Sequence, residues 1–376
     1  MKDNPLSRLR TFGQSVWLDY LHRDLLDSGE LARLIEEDGL GGVTSNPAIF
    51  EKAIGESSTY DAAIVELAQE GRDAGDIYEA LAVQDIRRTA DLFRPLYDSL
   101  KGADGFVSLE VSPHLAYDSV GTVAEARRLW ESVARPNVLI KVPGTRQGLD
   151  AIRQLVSEGI NINVTLLFGL PRYREVTEAF IAGLETRRSR GQHLEVSSVA
   201  SFFLSRIDVL VDQALERKIA EGGDRAETAA MLQGQTAIAC AKMAYQIFRE
   251  AFHSDRFREL ASAGARPQRV LWASTGTKNP AYSDVKYVEP LVGADTVNTM
   301  PMETLVAYRD HGNPAPLLEE GMDDARAVLD RLPQVGINLD SVTAQLEEEG
   351  VVKFVQPFDK LMRTIDKKGV PASAQG

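Results

Sequence analysis

Short runs of β-branched and apolar residues alternate along this chain with longer segments whose apolar positions recur every three or four residues. An apolar run of strand length suits a buried strand, and a period near 3.6 suits a helix that packs one face. The short runs fall at 15–20, 41–46, 105–111, 138–142, 161–166, 196–203, 269–275 and 295–299. Helical periodicity occupies 23–37, 123–132, 148–157, 171–188 and 206–220, with several segments opened by a polar cap or Pro and closed near Gly. Repeated strand-helix units build a parallel sheet, and eight strands suit closure into a (β/α)8 TIM barrel of the α/β class.

Two connections are longer than the rest. One carries helical patterns near 58–70 and 77–100, and the other a helix at 226–251 directly after 206–220. Beyond 299 the pattern is purely helical, at 302–308, 317–331, 339–348 and 351–367. In the last segment Val351, Phe354, Val355, Phe358, Leu361, Met362 and Ile365 form one apolar stripe. It predicts docking on the barrel, with a part in closing the active site, or docking on a second subunit to make a homodimer. Residues 371–376 read as a frayed tail. Without a Gly/Ser-rich linker, the chain reads as a single domain over 1–376, with barrel strands across about 15–299 and a helical extension across about 302–369.

Composition narrows the function classes. The 376 residues are 44% hydrophobic and 26% charged, the balance of an ordinary globular enzyme. A formal charge of −13 with no basic stripe argues against nucleic acid, and the absence of eighteen successive apolar residues argues against a membrane partner. Cys240 has no second cysteine to pair with, so a reducing, cytoplasmic setting is the simple expectation. The five histidines show no metal-ligand spacing, and no Walker loop or dinucleotide fingerprint is present, so neither a metal nor another cofactor is implied.

Active sites of such barrels lie at the carboxyl ends of the strands. Strands covered on both faces should be almost wholly apolar, yet Asp19, Asn46, Glu110, Lys141, Asn163, Thr165 and Ser201 fall in or at the ends of the first six runs. Lys141 stands out, embedded in Val-Leu-Ile-Lys-Val-Pro. Desolvation disfavours an ammonium, and lowering a lysine from about 10.4 to near 7 corresponds to roughly 4–5 kcal/mol, freeing a lone pair for attack on a carbonyl. The alternative is a lysine that snorkels from the rim or pairs with a carboxylate such as Glu110. Asp19 and Glu110 suit the proton transfers of imine chemistry, or else merely neutralise Lys141 and Arg206.

Asn163 and Thr165 share a strand face, as do Ser108 and Glu110, and either a polyhydroxylated ligand or interior water could satisfy them. Ser201 with Arg206, and the loop from Ser274 to Lys278, offer hydroxyls and cations suited to a phosphate.

These residues stand in ordered motifs: Trp17-Leu18-Asp19, Val43-Thr44-Ser45-Asn46-Pro47, Ser108-Leu109-Glu110-Val111, Leu139-Ile140-Lys141-Val142-Pro143, Asn161-Ile162-Asn163-Val164-Thr165-Leu166 and Ser201-Phe202-Phe203-Leu204-Ser205-Arg206. From Asp19 to about Thr299 the chain resembles the transaldolases, in the longer bacterial form with extra peripheral helices. The resemblance implies a Schiff base on Lys141, acid-base work by Asp19, and imine formation assisted by Glu110 and Thr165 through a water. It further implies that Asn46 and Asn163 hold dihydroxyacetone hydroxyls, while Ser201, Arg206, Ser274 and Lys278 hold a sugar phosphate. Lys278 stands where many relatives place arginine, which loses the bidentate fork.

The implied reaction is the reversible passage of a dihydroxyacetone unit from sedoheptulose 7-phosphate to glyceraldehyde 3-phosphate, a step of the non-oxidative pentose phosphate pathway. Its enamine intermediate must await an acceptor without being protonated. Phe203, on the strand face of Ser201 and with no proton to give, either guards that intermediate or is an ordinary packing residue. The competing readings are an aldolase of the fructose-6-phosphate type, which ends in protonation, and a non-catalytic sugar-phosphate-binding barrel.

Overall fold

The computed structural model describes residues 4–369, so the tail at 371–376 lies outside the described residues. The strands are β1 (Gln14–Leu18), β2 (Gly42–Thr44), β3 (Phe106–Glu110), β4 (Val138–Pro143), β5 (Ile162–Leu167), β6 (Ser198–Phe203), β7 (Arg269–Ala273) and β8 (Thr296–Met300). Each pairs in parallel with the next, and β8 returns to β1, closing the barrel. The α/β barrel expected from the strand count is present. Its strands are nearly continuous in burial, as a sheet covered on both faces requires.

Three strands stop two residues short of their apolar runs. β1 ends at Leu18, β2 at Thr44 and β7 at Ala273, so Asp19, Asn46 and Ser274 lie in the loops just beyond. Asn46 leaves the ladder because its side chain caps the helix Pro47–Gly55, accepting from the Ile49 amide at 3.0 Å with Pro47 in the first turn. Ser274 turns away at φ +54, a left-handed conformation that ends a strand.

The lower end of the barrel is held by polar groups that satisfy two wholly buried indoles. Trp17 donates to Asp104 at 2.9 Å, and Trp272 donates to the Leu291 carbonyl at 3.1 Å. Asp104 also accepts from Ser15 at 2.6 Å and pairs with Arg269 at 3.5 Å. Loss of a partner there would leave a buried polar group unsatisfied.

Several helices depart from the periodicity. The segment 23–37 is two helices, Arg23–Asp27 and Glu30–Glu37, separated at Gly29. Likewise 226–251 divides into Ala226–Leu232 and Thr236–Phe252 around Gly234, which adopts φ +67 and whose absent Cβ would stand 2.7 Å from Lys286 Nζ. Pro47–Gly55 and Asp255–Ser262 are helices that periodicity missed, both too short for a clear repeat. The predicted helix at 317–331 shortens to Met322–Arg331.

The opposite error concerns the end of the chain. Segments 339–348 and 351–367 are one helix, Leu339–Gly369, in spite of Gly350 and Pro357. Gly350 is a point of close approach and not a stop, since a Cβ there would stand 2.9 Å from Leu166 Cδ2 at the end of β5. The apolar stripe docks in cis, with Val351, Phe354, Leu361 and Ile365 buried against the rest of the chain. Val355, Phe358 and Met362 of the same stripe are half-buried. Among the described residues no helix is long and apolar enough to cross a membrane, and no group of three or more His, Cys, Asp or Glu could hold a metal ion.

Candidate active site

Register brings the central pair together. Glu110 and Lys141 are direct partners across β3 and β4, so both side chains leave the same face, and Lys141 Nζ lies 3.2 Å from Glu110 Oε2. Both residues are buried, Lys141 at 4% and Glu110 at 8% exposure. Lys141 also donates to the Ser45 carbonyl at 3.3 Å, and Ser45 ties the end of β2 to β3 by donating to the Ser108 carbonyl at 2.7 Å. Glu110 Oε2 makes no directed hydrogen bond, so the pair is held by charge more than by aligned donors.

Burial pushes the Glu110 carboxyl pKa up, against the opposing pull of the Lys141 ammonium and with a further push from Asp19. Burial likewise raises Asp19, opposed by Lys141, by the Thr44 hydrogen bond and by Arg206. Asp19 is fixed from its neighbour, because Thr44 Oγ1 donates to Asp19 Oδ1 at 2.7 Å. That hydroxyl also stands 2.8 Å from Thr299 Oγ1. Two carboxyls that retain protons more readily than usual therefore face one primary amine.

Below them lies a layer of hydroxyl and amide groups. Asn163 donates to Ser108 Oγ at 3.0 Å and accepts from Ser201 Oγ at 2.7 Å, linking β3, β5 and β6. Thr165 Oγ1 is buried and has no hydrogen-bond partner among the protein groups. The next residue, Leu166, sits at φ +63, and the β5–β6 register shifts between Val164 and Leu167. A left-handed leucine costs about 1–3 kcal/mol, and such bulges re-aim neighbouring side chains at functional sites.

Arg206 opens the helix Ser205–Glu221 just after β6. Its Nη1 is buried without a hydrogen-bond partner, while its Cζ lies 5.4 Å from the Phe203 ring centroid and 5.9 Å from that of Phe354. Burial pulls its pKa down, with Asp19 and Glu349 acting in the other direction. A buried guanidinium nitrogen without an acceptor suits an oxyanion. Nearby, Ser274 Oγ is 2.9 Å from Ser205 Oγ. Lys278 is exposed and borders a separate cavity of about 290 Å3 with Asp208, Asp212, Glu216 and Tyr282.

Sequence reasoning singled out Lys141, Glu110, Asp19, Asn163, Thr165, Ser201, Phe203 and Arg206, and the barrel brings Lys141, Glu110 and Asp19 into one charge-coupled set. Asn46 sits at the same rim, its carbonyl oxygen engaged in capping. Three participants were missed: Thr44, the Ser45 carbonyl and Phe354. The ring centroid of Phe354 lies 5.6 Å from Lys141 Nζ. The stripe showed that Phe354 was buried, but no local pattern names a contact more than two hundred residues away.

The family model for transaldolase/fructose-6-phosphate aldolase matches residues 16–365. The chain is similar to the transaldolase of Thiobacillus denitrificans, at 49% identity over 94% of this chain and 97% of that one. It is 46% identical to transaldolase 2 of a Nostoc species over 98% of both chains, and 47% identical to the transaldolase of Saccharopolyspora erythraea over 96% of both.

Proposed function

Because the chain belongs to the transaldolase/fructose-6-phosphate aldolase family, we propose that Lys141 is the amine that binds and carries its three-carbon cargo. The reaction moves a dihydroxyacetone unit from sedoheptulose 7-phosphate to glyceraldehyde 3-phosphate, giving erythrose 4-phosphate and fructose 6-phosphate reversibly. The observation that carries the assignment to Lys141 is a buried primary amine 3.2 Å from one carboxyl and charge-coupled to another at the barrel's carboxyl end.

The neutral amine adds to the ketose carbonyl carbon, and the carbinolamine loses water to become an iminium. Glu110, with its pKa raised, supplies the proton with which the carbinolamine hydroxyl leaves as water, relayed through a water held at the Thr165 hydroxyl. Asp19 takes the proton of the C4 hydroxyl, the C3–C4 bond breaks, and its electrons move into the iminium to give an enamine while erythrose 4-phosphate leaves. Attack on glyceraldehyde 3-phosphate reverses these steps. Asn46 and Asn163 hold the dihydroxyacetone hydroxyls; Ser201, Arg206 and the loop from Ser274 to Lys278 hold phosphate. No diffusible cofactor enters this scheme.

The setting is read as the cytoplasm, where the lone, buried Cys240 stays a free thiol, and the working unit as one domain. Borohydride reduction in the presence of fructose 6-phosphate, followed by peptide mapping, should place a covalent three-carbon adduct on Lys141. An unmodified Lys141 overturns the assignment. Turnover that needs an aldose-phosphate acceptor separates transfer from simple aldol cleavage.

A further inference from the structure

We propose that Phe354, brought over the barrel mouth by the terminal helix, is the wall that keeps water from the enamine and so sets the ratio of transfer to loss. This rests on the imine chemistry assigned to Lys141. Phe354 is 4% exposed, and its ring centroid is 5.6 Å from Lys141 Nζ and 5.9 Å from Arg206 Cζ. One ring therefore flanks both the bond-forming nitrogen and the cation suited to phosphate. Its centroid is 6.5 Å from that of Phe203, which in turn is 5.2 Å from that of Phe168. Three phenyl groups, from the terminal helix, β6 and the residue after β5, thus form an aromatic cluster that meets the amine at Phe354. The polar groups against the same nitrogen are Glu110 and the Ser45 carbonyl.

The chemistry needs that asymmetry. Forming the iminium releases water and requires proton donors, whereas the enamine must meet neither before the acceptor arrives. Quenching places a solvent proton on the enamine carbon and regenerates the iminium. Water then adds to the iminium carbon, the C–N bond breaks, and free dihydroxyacetone leaves as Lys141 recovers its amine. A phenyl ring can neither donate that proton nor hydrogen-bond the attacking water, and a close-fitting one excludes solvent. Gly350, one turn earlier, lets the helix approach Leu166 closely enough to seat the ring.

The test measures free dihydroxyacetone released from fructose 6-phosphate without acceptor, divided by transfer to erythrose 4-phosphate, in the full-length chain. Phe354→Ala should raise this ratio about tenfold or more, with Phe354→Leu between it and the parent. Ile365→Ala, which removes a buried contact three turns farther along the same helix, should leave the ratio unchanged. If Phe354→Ala does not fold, Phe354→Leu decides by the same ratio. An unchanged ratio with borohydride trapping on Lys141 intact overturns the role of Phe354 alone, as does an equal rise in Ile365→Ala. No trapping in the parent chain overturns the imine assignment, and this inference with it.

Discussion

Lys141 and Glu110 are register partners on adjacent strands, and 3.2 Å separates their charged atoms in a region almost without solvent. The two readings of Lys141 open at the level of sequence, ion-pair partner and nucleophile, are therefore compatible. The carboxyl that neutralises the ammonium is also placed to move protons during imine formation.

Lys141→Met separates the roles. It keeps the side-chain length, cannot form an imine, and leaves Glu110 buried without its cation. Turnover and the borohydride adduct should vanish together, and unfolding stability near pH 8 should fall by about 3–5 kcal/mol, the usual cost of breaking a buried pair. The loss should shrink at acid pH, because burial already favours the protonated form of Glu110. A variant as stable as the parent at about pH 8 contradicts a structural contribution from the pair.

Asp19→Asn should show the reverse balance. Burial raises the Asp19 pKa, so its stabilising contribution is full below the unfolded pKa and is lost as pH rises through the folded one. The amide cannot ionise, and its oxygen can still accept from Thr44. The variant should be the more stable protein near pH 8, with the difference closing below about pH 4. Turnover should fall about 10²–10⁴-fold, because the amide cannot take the hydroxyl proton. Denaturant titrations at several pH values check the sign.

The parts of this site that sequence makes legible are those where burial and chemistry conflict. A lysine inside Val138–Pro143, or Asn163 and Thr165 inside Ile162–Leu167, violates the apolar rule for doubly covered strands and stands out. Polar residues on Gly42–Thr44 do not, because the strand is too short to display a pattern, so Thr44 escaped notice as the partner of Asp19. The long terminal helix was divided at Gly350 because the general cost of glycine in helices hides a tertiary reason for it. Phe354 carried a burial signal without an address among the site residues: periodicity says that a face packs, never against which side chain.

Arg206 and Lys278 should contribute unequally to substrate phosphate binding. Arg206 presents a buried, unpartnered Nη1, where an anion gains a charge-assisted bond away from water. Lys278 is exposed, and exposed charge pairs contribute about 0–1 kcal/mol. Arg206→Ala should raise KM for fructose 6-phosphate by about 10–100-fold, and Lys278→Ala by about fivefold or less. Steady-state kinetics at low and high salt check this, since the Lys278 effect should fade with ionic strength. A larger KM change from Lys278→Ala would move the phosphate site toward the loop.

Gly350→Ala sets two opposing effects against each other. Helix propensity favours alanine by about 1 kcal/mol, whereas an added methyl in a packed interface costs about 1–3 kcal/mol. The new Cβ would stand 2.9 Å from Leu166 Cδ2 and 3.4 Å from Phe168 Cε2. Leu166 has little freedom to yield, being buried and held at φ +63 by the irregularity in β5. Packing should therefore win, with a net loss of about 1 kcal/mol. Leu166→Ala in the same chain should relieve the clash, giving a favourable coupling in a double-mutant cycle. Because the displaced helix carries Phe354, Gly350→Ala should also leak more dihydroxyacetone without acceptor. A variant that gains stability would mean that glycine at this position reflects no close approach.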